Sequence, residues 1–561
     1  MFNIIKKHNR AILHAVAIYF LLLGTSLLVA LFFSTLTYSS IKKQQLSSAS
    51  SRSKIAIFPL TIARALTLDQ WKLLKMWKLG LELIPQVNEL KIQLEQTFKI
   101  ANQETVIFQP KTTQAIEGFS SSYSDFYKQF LQCGLAQKIL QQNQKDQLKK
   151  VNDILPQISW LSNHLINNEL KILFLLQNSD ELRAGGGFVG SMATMSLMHG
   201  QLNQPVFYDV YDLANRTEGL SNPPIGVSQY LSSGKNLSLT DANWEADFSQ
   251  SAQNFLKIIS QTELPKIDTV VGISLNSIAS ILEATGPIML HDSNQLVYAD
   301  NLAELARKDR EDFFAGDKRK KMFLNELFTA LKLKMTQLTF KQQLQLLEKI
   351  FNNIQQKNIL FYSTDSQLQQ LIVNQQAGGT INFESDFFLY LLESNVGINK
   401  ANKNIIRDVQ LNFSPHLITI TIEYFNKNQP LSDQQIAIIE NNSDLLQAKH
   451  MGYINYQRIV TNLPIKQTQV LCGTKEKEIE ENSKIQTWGG VANQIGFLTT
   501  TQEMSSTRCI VNLQPETELS PYHTWTVVRQ PGLPPTKYKI FFFDNLSELT
   551  LQKNEKIGGI R

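Results

Sequence analysis

The chain has 561 residues, 43% of them hydrophobic and 18% charged, which is enough apolar matter for more than one core and argues against wholesale disorder. A formal net charge of +5 without a basic stripe does not describe a nucleic-acid binder, so no nucleic-acid partner is expected. Three cysteines, Cys133, Cys472 and Cys509, form no CxxC pair and have no histidine at ligand spacing, which excludes the usual zinc sites.

Residues Ala11 to Phe33, AILHAVAIYFLLLGTSLLVALFF, contain no Asp, Glu, Lys or Arg. As a helix at about 1.5 Å per residue the run spans about 34 Å, against a hydrocarbon core of about 30 Å. A core helix is seldom apolar on every face, and His14, in the first turn, can reach the interface. The competing reading is a cleaved signal peptide, whose apolar region is about 7–15 residues; Ser48-Ala49-Ser50 is a weak cleavage site. The longer run favours an uncleaved, single-pass signal anchor. Lys6, Lys7 and Arg10 precede it, and Lys42, Lys43, Arg52 and Lys54 follow it, so charge bias does not orient it. A short basic N-terminus commonly stays inside while long domains translocate. Residues 1–10 are therefore expected in the cytoplasm, 11–33 in the membrane and the bulk of the chain outside.

Residues 34–168 read as a Ser-rich juxtamembrane linker to about residue 54, followed by a helical stalk or bundle. Leu73, Leu74, Trp77, Leu81 and Ile84 recur at helical spacing. Pro85 interrupts, and Leu90, Leu94 and Phe98 continue the stripe. Gln137 to Gln157 reads as a long polar helix with one apolar edge.

Residues 169–400 read as an α/β core, in which strands alternate with helices. Leu170 to Leu176 is a short continuous apolar run, as for a strand buried on both faces. Pro205 to Leu213 and Ile267 to Leu275 also read as strands, and Ser191 to Leu202 as a strand ending in a turn. Helices are expected over Ser249 to Ser260, Ser277 to Thr285 and Lys318 to about Met335. In the last of these Phe323, Leu324, Leu327, Phe328 and Leu331 share a face. The charged run Arg307 to Lys321 reads as a solvated helix face, or as a contact with anionic lipid or polymer.

Residues 401–561 read as an all-β, sandwich-like domain. Val409 to Phe425 alternates at period two in its second half, and His523 to Phe543 reads as two strands joined by a Pro-Gly loop. Cys472 and Cys509 both fall here. They are either a disulfide, in an oxidising compartment, or two buried free thiols.

Chemistry-bearing residues collect after the first buried strand. Glu181 and Arg183 stand beside Gly185, Gly186 and Gly187, and a loop leaving the end of an α/β strand is where such folds place ligands. The GxGxxG match at Gly185, Gly187 and Gly190 lacks the context of a dinucleotide site, since eight residues separate it from the strand and no helix follows. A second cluster holds Asp209, Asp212 and Arg216, and a third Asp241, Asn243 and Asp247. Carboxylates at strand ends suit Mg²⁺; equally, Asp247 or Ser249 suits the cap of the helix that begins near Ser249. The histidines are scattered and no GxSxG elbow occurs, so nothing suggests a hydrolase triad.

These residues carry a resemblance. LFLLQNSDELRAGGGFVG resembles the signature of the bacterial Domain of Unknown Function 4012 (DUF4012) family. DANWEADF, IDTVVGISLNSIASILEATGPIML, RKKMFLNELFTALKLKM, ESNVGINKANKNIIRDV, NYQRI and RQPG follow in the family's order, from about Leu170 to Phe543. Gly185 stands where Pro or Thr is commoner, and Ile398 where Gly is expected. The family is distantly similar to the LytR-CpsA-Psr transferases, which move glycopolymers from a polyprenyl-pyrophosphate carrier to the cell wall. That similarity implies a mixed sheet with helices, Mg²⁺ as cofactor, and catalytic roles for Arg183, Asp212 and Asp241. It further implies ligand contacts from Glu181, Gly186, Gly187, Arg216 and Asn243, and metal ligation by Asp209 and Asp247. The transferases carry an Arg-Asp pair where Tyr211 precedes Asp212 here. Two functions are therefore expected to compete. One is a non-catalytic envelope protein that binds a glycan, a lipid-linked ligand or cell-wall polymer. The other is a Mg²⁺-dependent phosphotransferase.

Overall fold

A computed structural model describes residues 2–43, 45–67, 71–100, 109–232, 234–308, 318–430, 432 and 451–558. The chain divides into two compact units, Met1–Glu169 with Leu197–Asn203, and Leu170–Ser196 with Gln204–Arg561.

The first unit is helical: α1 (Phe2–Lys42), α2 (Leu46–Leu66), α3 (Lys72–Ile100), α4 (Pro110–Gln132), α5 (Gly134–Ile139) and α6 (Gln142–Asn167). Within α1, Ile18–Lys42 is long and apolar enough to cross a membrane, the one such stretch among the described residues. The side chain of His14 lies outside the described residues. The expected Ser-rich linker is helix instead, because α1 runs on to Lys42 and α2 starts at Leu46. Its hydroxyls bond back onto their own helix, Thr37 Oγ1 to Phe33 C=O and Ser40 Oγ to Leu36 C=O, so they cost the helix little. Nor does Pro85 break the third helix, which continues from Lys72 to Ile100. Packing against α2 and α4 holds it, with Gln86 Nε2 donating to Ser122 Oγ at 2.7 Å.

The second unit begins with a mixed sheet. Its strands are β1 (Leu170–Asn178), β2 (Phe188–Met198), β4 (Val206–Asp209), β5 (Thr269–Ser274) and β8 (Ile359–Ser363), while the two-residue β3 (Gln201–Leu202) belongs to the first unit. The order is β2-β1-β5-β8 with β4 also on β2; β1 and β5 are parallel, and β5 and β8 antiparallel. Between these strands run α7 (Val210–Ala214), α8 (Ile225–Tyr230), α9 (Phe248–Ile259), α10 (Leu275–Thr285), the hairpin β6 (Ile288–Leu290) and β7 (Gln295–Val297), α11 (Leu302–Lys308), α12 (Lys318–Thr336) and α13 (Phe340–Gln355). Phe248, Ala252, Phe255 and Ile259 fall on one side of α9 and pack with Leu173, Leu175, Val270 and Leu360 of the sheet. The expected strand Pro205–Leu213 stops at Asp209. There Asp209 Oδ1 accepts the Tyr211 N–H at 2.9 Å and starts α7, so the local cap overrides strand propensity. Leu327 is buried with Phe323 and Leu331 beside it, whereas most of the charged run Arg307–Lys321 lies outside the described residues.

After α14 (Ser366–Asn374) the chain is β. Its strands are β9 (Phe387–Asn395), β10 (Ile405–Ser414), β11 (Leu417–Asn426), β12 (Tyr453–Thr461), β13 (Ile465–Cys472), β14 (Lys475–Glu476), β15 (Glu481–Thr487), β16 (Gly490–Thr501), β17 (Ser505–Pro515), β18 (Thr524–Val528), β19 (Thr536–Phe542), β20 (Asn545–Leu551) and β21 (Glu555–Gly558). They form one sheet in the order β14-β13-β17-β11-β10-β19-β20 and a second in the order β15-β16-β12-β9-β18-β21. Leu389, Leu391, Ile459 and Phe497 of the second share a core with Leu411, Ile420, Ile422 and Val511 of the first. The β region starts earlier than residue 401, since β9 pairs with β12 and β18. The two strands expected over His523–Phe543 exist but belong to different sheets. Cys472 and Cys509 face each other across β13 and β17 and are joined by a disulfide, while Cys133 is a buried free thiol.

The disulfide closes a sequence separation of 37 residues. Replacing both cysteines with Ser is expected to cost about 2–4 kcal/mol by the loop-entropy argument. Denaturant titration measures the loss. Thiol assay of the unfolded, unreduced chain should read one thiol, against three after reduction.

Candidate functional site

The signature loop starts where β1 ends. Gly187 has φ +150°, and a Cβ there would overlap the backbone of Asn178 and Ser179; a Cβ at Gly185 would overlap the Asn243 side chain. These glycines let the chain approach itself: Asn243 Nδ2 donates to Gly187 C=O at 2.8 Å, and the Gly185 N–H to Asn243 C=O at 3.4 Å.

Arg183 is 1% exposed. Its Nη2 lies 3.1 Å from Glu181 Oε1 and 3.7 Å from Asp241 Oδ1, and its Nη1 donates to Asn395 C=O at 2.7 Å and Leu182 C=O at 3.2 Å. Its Nε is buried without a partner. Burial pushes the Asp241 carboxyl up from its ordinary value, while Arg183 pulls it back. An ion pair this deep holds only when desolvation is offset by charge and hydrogen bonds together.

Asp247 is the cap of α9. Its Oδ1 accepts from Ser249 N–H and Oγ, and its Oδ2 from the Ile381 N–H at 3.1 Å and the Trp488 N–H at 2.9 Å. Those four bonds occupy about the whole acceptor capacity of a carboxylate. Burial raises the pKa of this carboxyl and the bonds lower it. Asp209 caps α7, Asp212 pairs with Lys321 at 3.4 Å, and Arg216 is exposed. The structure thus brings Glu181, Arg183, Gly186, Gly187, Asp241 and Asn243 into one buried neighbourhood and gives Asp209, Asp212 and Asp247 to other tasks. Among the described residues no three His, Cys, Asp or Glu side chains converge as a metal-ligand set, and Asp209 and Asp247, the metal ligands implied by resemblance, serve as helix caps.

What meets the signature loop is more of the chain. Asn395 N–H donates to Leu182 C=O, Leu182 N–H to Asn402 Oδ1 and Asn402 N–H to Asp180 C=O. Gln530 exchanges bonds of 2.8 Å with the Glu393 backbone, its amide also reaching Arg183 C=O. Buried Arg407 grips both oxygens of Glu393, which also accepts from Tyr453 OH. Buried Arg458 lies 4.5 Å from the Trp244 ring centroid and donates to Trp244 C=O. The blocks ESNVGINKAN, NYQRI, RQPG and DANWEADF therefore interlock with the loop that holds Arg183. Glu393, Arg407, Arg458 and Gln530 were not singled out from the sequence. The available signal was a charged residue inside an apolar strand, as in FFLYLLESN and YINYQRIV.

Residues 167–310 match the family described as "Protein of unknown function (DUF4012)". No curated protein matches the chain. Among solved structures, protein gbs0355 from Streptococcus agalactiae is 14% identical with a TM-score of 0.26, over 38% of this chain and 76% of that one. The Lin1025 protein from Listeria innocua is 9% identical with a TM-score of 0.15, over 38% and 80%.

Lys357, between α13 and β8, is buried with φ +59°. Burial pushes its amine from 10.5 down to about 8, against an opposing pull from Asp247.

Two outcomes are expected. Arg183→Met should lose about 3–5 kcal/mol in denaturant titration, because it strands buried carboxylates, whereas Asp212→Asn should lose less than about 1 kcal/mol. For Lys357, the unfolded chain holds the extra proton between pH 8 and 10.5, so raising pH through that window favours the folded state. Lys357→Met should therefore be more stable than wild type at pH 7, by on the order of 1–3 kcal/mol, with the advantage fading towards pH 10.5 in a pH series of melts.

Proposed function

We propose that this is a single-pass membrane protein whose folded mass lies outside the cytoplasm, and which binds a glycan or lipid-linked ligand of the cell envelope without catalysing a reaction. The observation that carries the non-catalytic reading is the closure of Arg183. Its guanidinium is spent on Glu181, Asp241 and two carbonyls, so it offers no open cation to a pyrophosphate. A distant kinship of the mixed sheet with LytR-CpsA-Psr transferases would ask Arg183 and the carboxylates to meet around one cleft. Asp247 and Asp209 instead serve as helix caps. The Cys472–Cys509 disulfide supports an oxidising, extracytoplasmic address.

For the ligand, the best support is a groove of about 350 Å³ lined by Asn352, Gln355, Gln356, Thr550, Gln552, Lys553 and Glu555. Side-chain amides both donate and accept, as sugar hydroxyls do. The test uses the full chain in detergent. Saturable binding to a cell-wall polysaccharide fraction is expected, weakened at least tenfold in Gln355→Ala/Gln552→Ala, with no transfer from a polyprenyl-pyrophosphate oligosaccharide in Mg²⁺. Turnover that Arg183→Lys abolishes would install the phosphotransferase in its place. For the address, Met504→Cys, an exposed site, should react with a membrane-impermeant maleimide on intact cells.

A further inference from the structure

Helix α13 is packed with its polarity partly reversed. On the side turned to α10 and β8 it buries Leu346 but also two amides. Gln343 Nε2 donates there to Leu338 C=O at 3.2 Å, and Asn353 Nδ2 to Lys349 C=O at 2.8 Å. On the outer side Leu344, Leu347 and Phe351 stand 48%, 47% and 54% exposed. A single exposed apolar residue needs no explanation, but three along one helix face that buries amides behind them do.

Helix geometry ties this face to the groove described above. At about 100° per residue, Leu344, Phe351 and Gln355 fall within about 40° of one another around the axis, over roughly 16 Å of its length. Gln355 and Asn352 line the groove. Phe351 is one turn before Gln355 and next to Asn352, so its ring stands at the groove's rim. Gln552 and Lys553, in the turn between β20 and β21, and Glu555 of β21 complete the lining. Lys553 and Glu555 are opposite in sign, so the lining has no net charge. An aromatic face is the negative side of the ring quadrupole and attracts C–H bonds that neighbouring oxygens polarise. Amides beside it bond hydroxyls as donor and as acceptor. A pyranose with equatorial hydroxyls presents both at once, axial C–H bonds on its faces and hydroxyls around its edge. A polyol phosphate or a uronate chain would bring charge that this lining does not complement. Exposed Gln345 and Glu348 border the apolar strip and leave it too narrow for the core of a protein interface.

We infer that Phe351 is the stacking platform of the groove, and that the occupant is a neutral chain of pyranoses with equatorial hydroxyls. One ring lies with its C–H face on Phe351, and the chain continues along Leu347 and Leu344. This rests on the glycan-binding reading above, and its test separates the two. The full-length protein, in a detergent without a sugar headgroup, is titrated calorimetrically with cellohexaose, with hexagalacturonate and with the cell-wall polysaccharide fraction. Cellohexaose should bind, about tenfold more weakly in Phe351→Ala and with about wild-type affinity in Phe351→Tyr. Saturation-transfer NMR should find the axial protons of one sugar face nearest the protein, and lose that pattern in Phe351→Ala. Wall polysaccharide that binds wild type and Phe351→Ala alike, yet is lost in Gln355→Ala/Gln552→Ala, would overturn the platform and leave the groove. Hexagalacturonate bound in preference to cellohexaose would overturn the neutral ligand. No saturable binding of any of the three would remove groove and platform together. A sedimentation coefficient that then falls in Phe351→Ala would give the apolar strip to a second copy of the chain instead.

Discussion

A guanidinium cannot be taken out of water unless something replaces the water, and around Arg183 that replacement comes from distant parts of the chain. Glu181 and Asp241 supply charge, while Leu182 and Asn395 supply carbonyls. Asn395 is 212 residues away, and Gln530, which bonds the Arg183 carbonyl, is 347 away. Satisfying one buried cation thus requires the mixed sheet and the β-sandwich to be present together and in register. The nearby pairing of Arg407 with Glu393 repeats the arrangement within the sandwich. A signature that looks like a ligand loop in one dimension is, in three, the place where the unit is locked.

That difference marks how far the sequence could be read. Strands such as Leu170–Asn178 and the helix Phe248–Ile259 were legible, because apolar periodicity reports directly on which face is covered. The cap at Asp247 was legible because capping is local. The helix after Asp209 was not, since one side-chain bond to Tyr211 outweighs a strand-like composition. The Ser-rich stretch before residue 54 misled for a related reason, because its hydroxyls have helix carbonyls to bond. Which acidic residues meet Arg183 was beyond reach: Glu181 and Asp241 were candidates alongside Asp209, Asp212 and Asp247, and only tertiary packing distinguishes among them.

The proposed role follows from the same economy of polar groups. A site meant to grip a pyrophosphate keeps its cations open to solvent, and here Arg183 and Arg407 are taken up by the protein's own carboxylates and carbonyls. The polar groove beside α13 and β20, by contrast, leaves amides facing outward. Binding to a hydroxyl-rich polymer needs many modest contacts of that kind and no preorganised charge.

One feature of the sandwich bears on how the chain is made. β18 lies parallel to β9 and β19 parallel to β10, so two strands only eight residues apart in sequence are inserted in opposite sheets. Neither sheet is continuous until its own strand of the two has arrived, and each joins a partner more than a hundred residues upstream. A chain emerging from the ribosome N-terminus first must therefore hold one edge each of β9 and β10 unpaired while the intervening segment of the sandwich is made. Such edges invite pairing with other chains until they are filled.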